Sequence, residues 1–80
     1  MNPSAIPYEP VARDVTVTDD LLQVVLADGR EVKTPFVWFP RLQAASAGQR
    51  NNWQLIGGGI GVHWPEVDED ISVESLLRIV

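Results

Sequence analysis

His63, Asp68 and Asp70 are the residues whose types and spacing come nearest to chemistry. A histidine that takes a proton needs a carboxylate to orient its ring and a nucleophile within reach; Asp68 or Asp70 could supply the first, Ser46 or Ser72 the second. No spacing in the chain favours that constellation. With neither a cysteine nor a second histidine in the sequence, His63 cannot complete a transition-metal site either. It reads as a hydrogen-bonded histidine on a strand between Val62 and Trp64.

The carboxylates Glu66, Asp68, Glu69 and Asp70, with His63, are the one group that a hard cation might recruit, because such ions want several oxygens converging. Counted from Asp68, however, an EF-hand loop would need glycine where Val73 stands and glutamate where Ile79 stands. The run reads as the solvated acidic approach to a helix, where the dipole favours negative charge. The glycines of Gly57-Gly58-Gly59-Ile60-Gly61 lack the third glycine of a dinucleotide fingerprint and the Lys-Ser/Thr of a phosphate loop, and they lead into a strand; they make a turn. Trp38, Trp53 and Trp64, with Phe36 and Phe39, could stack on bases only beside basic residues, and Arg41 and Arg50 alone lie among them. Core and protein-docking surface is the better account of the aromatics. The two arginines are then free to pair with the acidic segment and lock helix to helix.

These residues must be positioned by a small α+β domain. Residues 1–11 hold Pro3, Pro7 and Pro10, which excludes helix and gives an extended proline-rich arm that Ile6 and Tyr8 could anchor. From Ala12 the chain alternates, Val15 and Val17 on one face and Asp14, Thr16 and Thr18 on the other, as a half-buried strand does. Residues 21–27 form a central strand with Leu22, Val24 and Leu26 inward. Asp28-Gly29 then closes a two-residue type I′ hairpin, and residues 30–34 return with Val32 inward. Pro35 ends this three-stranded meander. Pro40 opens a short helix over 40–45, with Leu42 on its apolar face beside Trp38 and Phe39. Ser46 and Gln49 match a capping box for one further helical turn through Arg50. Residues 53–56 and 60–64 flank the glycines as a second hairpin, expected to join the meander in one mostly antiparallel sheet. Ser72 caps a final helix carrying Val73, Leu76 and Leu77. The expected order is β-β-β-α-(α)-β-β-α, with residues 12–80 as a single domain.

Composition bounds the function. Eighty residues make one domain with a small core. Eleven carboxylates against six Lys and Arg leave a formal charge of −5, which repels phosphate backbones and favours basic partners. The absence of cysteine suits a reducing cytoplasm, and no stretch approaches the length of a membrane span or a secretion signal.

Several runs together resemble one family. Val37-Trp38-Phe39-Pro40-Arg41-Leu42, Gln49-Arg50-Asn51-Asn52-Trp53, Gly58 with Gly61-Val62-His63-Trp64-Pro65, and Val67-Asp68-Glu69-Asp70-Ile71-Ser72-Val73 with Leu76-Leu77 are similar to the bacterial domain-of-unknown-function 2442 family, DUF2442. The resemblance spans residues 12–78. It implies a small α+β domain, in some members followed by a helix-turn-helix domain that this chain is expected to lack. It also implies a setting beside another small protein, which has prompted a toxin–antitoxin interpretation. It carries over no catalytic residue.

The sequence therefore leads to a cytoplasmic protein–protein interaction module, an antitoxin-like partner of a small basic protein, with no catalytic, metal or cofactor site and no direct nucleic-acid or membrane contact. Its face is drawn from Trp38, Arg41, Arg50, Trp53, His63, Trp64, Asp68 and Asp70, and a homodimer through a sheet edge is compatible with it. The alternatives are an accessory component of a transcription regulator, and a metal-assisted hydrolase built on His63 with Asp68 and Asp70.

Overall fold

The computed structural model describes residues 10–79, so the arm expected over 1–11 lies almost wholly outside the described residues. The chain is α+β, as expected. Strands β1 (Ala12–Val17), β2 (Leu21–Leu26) and β3 (Glu31–Pro35) are followed by a 3-10 turn (Phe36–Trp38) and helices α1 (Pro40–Gln43) and α2 (Ala47–Asn51). Strands β4 (Gln54–Ile56), β5 (Gly61–Trp64) and β6 (Glu69–Ser72) lead into α3 (Val73–Ile79).

The meander forms as the alternation requires, with Leu22, Val24 and Leu26 fully buried on β2 and Val32 buried on β3. β1 departs from strict alternation. A register shift between Ala12 and Asp14 inserts a bulge, and the extra residue turns both Ala12 and Val15 to the core. The Asp28-Gly29 turn is also not the expected two-residue loop. Gly29 has a φ of 96° while Asp28 keeps a negative one; the Gly29 N–H donates to Leu26 O at 3.0 Å, and Leu26 N–H to Arg30 O at 2.8 Å. This is the three-residue loop with a left-handed glycine, which spares aspartate the strained conformation a type I′ turn would demand.

Pro40 stands at the first turn of α1, where its missing N–H costs nothing. The capping box is present, Ser46 Oγ accepting from Gln49 N–H and the Gln49 side chain from Ser46 N–H. Ser72 likewise caps α3, its Oγ accepting from Ser75 N–H at 3.1 Å.

Two features correct the sequence reading. Residues 69–72, where the sequence predicts the end of an acidic lead over 66–70 and the Ser72 cap of the helix, are strand β6; aspartate and glutamate are poor strand formers, and the only apolar signal is Ile71, which packs inward opposite Val62. β6 takes the side of β5 that β4 leaves open, and the hairpin does not pair with the meander. The strands instead form two antiparallel sheets, ordered β1-β2-β3 and β4-β5-β6. The sheets meet where Ala12 N–H donates to Gly59 O at 2.6 Å, and Gly59 is buried there. Between them lies one core, in which Phe36, Leu42, Val62, Trp64 and Val73 are fully buried beside the meander's inward residues.

Candidate interaction face

On β5, alternation sends Val62 and Trp64 into the core and His63 outward. The register places His63 opposite Gln54 on β4 and Asp70 on β6, a row of three polar side chains across the outer face of the second sheet. His63 Nδ1 pairs with Asp70 Oδ1, the imidazole about one quarter exposed and the carboxylate two thirds exposed. Of the two carboxylates weighed for orienting His63, the structure selects Asp70. Ser46 and Ser72, the two hydroxyls weighed as nucleophiles, are both engaged as helix caps. Among the described residues no three His, Cys, Asp or Glu side chains gather as a metal would require.

The turn from β5 to β6 carries the rest of the acidic group. Asp68 holds a left-handed φ of 52°, the one such non-glycine among the described residues, and it lets four residues close the hairpin between Trp64 and Glu69. Two bonds tie this turn to the helical segment: Arg41 Nη1 donates to the Asp68 carbonyl at 2.6 Å, and Asn52 Nδ2 to Glu66 Oε2 at 2.9 Å. Arg41 thus reaches the acidic segment as expected, but through its main chain.

Arg50 does not reach it. Its guanidinium donates to the carbonyls of Leu42, Gln43 and Asp19, each at 2.8 Å, and lies 4.7 Å from the centre of the Phe36 ring. Three carbonyls and an aromatic face engage the planar cation, so it joins α1 to the β1–β2 turn rather than to the acidic turn. Trp64 also leaves the expected surface. It is fully buried, its Nε1 donating to Arg50 O at 2.9 Å. Trp53 is half-buried against the core.

What remains at the surface is an acidic group and a separate apolar one. No lysine or arginine forms an ion pair with Glu66, Asp68, Glu69 or Asp70 among the described residues. Trp38 is 49% exposed and Ile79 49% exposed, and together they line an open cleft of about 430 Å³, with Val37 exposed beside Trp38 in the chain. Ile79 and Val37 escaped the sequence reading. The available signal was phase, since Ile79 falls off the stripe set by Val73 and Leu76, and Val37 falls out of step with the buried Phe36.

The profile of the family described as "Protein of unknown function (DUF2442)" matches residues 12–80. Among curated proteins no match is found. The fold is similar to the crystal structure of a protein of unknown function from Rhodospirillum rubrum, at 27% identity and a TM-score of 0.77, with 89% of this chain and 88% of that one covered. It is also similar in fold to the solution structure of an uncharacterised protein from Chromobacterium violaceum, at 24% identity and a TM-score of 0.73, with 85% of this chain and 64% of that one covered. No helix among the described residues is long and apolar enough to cross a membrane.

Proposed function

This chain belongs to the DUF2442 family, and from that premise we propose that it is a protein-binding module which docks a small basic partner against the acidic β5–β6 hairpin. The observation that carries this reading is the fate of the two arginines. Arg41 and Arg50 are spent on main-chain carbonyls, Arg41 on that of Asp68 itself, so among the described residues the carboxylates of Glu66 and Asp70 have the neutral amide of Asn52 and the imidazole of His63 as side-chain partners, and no arginine or lysine pairs with them or with Asp68. In a chain of net charge −5, acidic side chains that form no ion pair with lysine or arginine among the described residues attract a cationic surface over a Debye length of roughly 8–10 Å and steer its approach.

The proposed action is masking. The acidic patch orients the partner, and the apolar Trp38 supplies desolvated contact area once the partner is seated. Such a device suits an antitoxin-like role, in which a small basic protein is held inactive, and a cysteine-free chain suits the cytoplasm.

Affinity co-purification at native expression level identifies the partner. The reading then requires that D68K and D70K slow association about tenfold at low ionic strength, with the effect shrinking as salt is added. Unchanged association kinetics with a demonstrated partner would remove the hairpin from the interface.

A further inference from the structure

Each sheet has two edge strands, and the four edges are not alike. On β1 the bulge interrupts the ladder, and the Val15 N–H donates to the carboxylate of its own neighbour Asp14 at 2.9 Å. On β6 the same device recurs: the Asp70 N–H donates to the Glu69 carboxylate at 3.2 Å. β3 presents Glu31 and Lys33 and ends in Pro35, which has no N–H to offer. Charge, proline, bulges and side-chain capping are the means by which sheet edges are kept from pairing with another chain. β4 has none of them. Its sequence, Gln54-Leu55-Ile56, carries no charge and no proline, and among the described residues its backbone makes no bond outside its ladder with β5 except at Ile56 O, which accepts from Gly59 N–H.

We propose that β4 is a self-pairing edge, and that two copies of this chain join antiparallel through it, making one six-stranded sheet across a two-fold axis at Leu55. The self-complementarity is built into three residues. An antiparallel two-fold at Leu55 sets Leu55 opposite Leu55 and each Gln54 opposite the partner's Ile56, so that no charge meets a charge. Ile56, 40% exposed, and Ile60, 59% exposed at the adjoining turn, supply apolar surface that the pairing covers.

Electrostatics permits a second copy on this edge, and the self-complementarity of the three residues selects it. Two chains of −5 each must keep their acidic groups apart. β4 is the edge opposite β6, and with strands spaced about 4.8 Å the two Asp70 carboxylates stand five strand spacings, roughly 24 Å, from each other. That exceeds two Debye lengths at physiological salt, so the repulsion is screened. Pairing through β6 would bring them adjacent. The same geometry leaves both acidic hairpins at the far ends of the joined sheet, open to two partners at once.

The test uses the full chain in sedimentation velocity across a dilution series, with hydrogen exchange read at β4. The expected result is a monomer–dimer equilibrium, with the β4 amides gaining protection as concentration rises. The double variant Q54K/I56K sets four lysines around the axis and should be monomeric at every concentration while keeping the wild-type circular dichroism. A wild-type chain that stays monomeric to its solubility limit overturns the proposal, as does a dimer that the folded double variant preserves. Protection of β4 that is independent of dilution does so too.

Discussion

The indole N–H of Trp64 is bonded to the carbonyl of Arg50, so the residue that closes β5 is fastened to the helix that precedes the hairpin. Arg50 in turn reaches through its side chain to Leu42, Gln43 and Asp19. One tryptophan and one arginine thereby connect the second sheet, both short helices and the first sheet's turn. W64F keeps most of the buried ring area but abandons the Arg50 carbonyl and opens a void. It is expected to cost about 2–3 kcal/mol in urea denaturation, with the native emission of the remaining tryptophans little changed.

Gly59 and Gly58 separate conformational strain from contact. Both have positive φ, 102° and 70°, but a Cβ on Gly59 would lie 2.3 Å from the Ala12 carbonyl oxygen, whereas Gly58 faces open space. G58A should lose roughly 1 kcal/mol, the cost of a left-handed alanine, and G59A at least about 3 kcal/mol, because the two sheets must part to admit a methyl group. Equal losses in thermal denaturation would mean that the crossing is not a close contact.

Thr34 offers a stabilising substitution. It is 1% exposed on β3, opposite Leu22, and among the described residues its hydroxyl has no hydrogen-bond partner. T34V keeps the branched shape and removes the desolvated hydroxyl, and should raise stability by about 1 kcal/mol, seen as a higher urea midpoint at constant m.

Asp28 makes the pH dependence specific. The Arg30 side chain, hydrogen-bonded to it at 2.8 Å, is the chief reason its carboxyl sits below the usual 3.8, assisted by the Arg30 backbone N–H. A carboxylate whose pKa is lower folded than unfolded stabilises fully above the unfolded value and loses that contribution as pH falls through the folded one. NMR titration should place Asp28 below 3.8 in the native protein and move it upward in R30Q. A native value at or above 3.8 would contradict the pairing.

The first three strands were legible because their pattern is local: Leu22, Val24 and Leu26 alternate on β2, and a glycine sits where the chain must turn. The caps at Ser46 and Ser72 were equally local. What failed was non-local. Strand β6 is written in residues that disfavour strands and is held by its pairing to β5, so Glu69-Asp70 read as a helix approach. The chemistry of Trp64 and Arg50 places both on the face, but the tryptophan is buried on an available carbonyl and the half-buried arginine is drawn to three others, and sequence spacing does not reveal carbonyls supplied from elsewhere in the chain. Of the candidate face, the acidic side chains and Trp38 stand at the surface, and the His63–Asp70 pairing was one of two partners weighed.

The backbone crossing at Ala12 and Gly59 has a consequence for the order of folding. Every strand pair in both sheets joins neighbours in sequence, so each three-stranded unit closes only short loops and its pairings can form quickly, while the core the two sheets share closes only when they meet. The slow step is then docking, when the bulged start of β1 meets the glycine turn. A methyl group at position 59 should retard that late encounter in addition to straining the β4–β5 turn, whereas G58A strains the turn alone, a separation that stopped-flow kinetics of G59A against G58A can resolve.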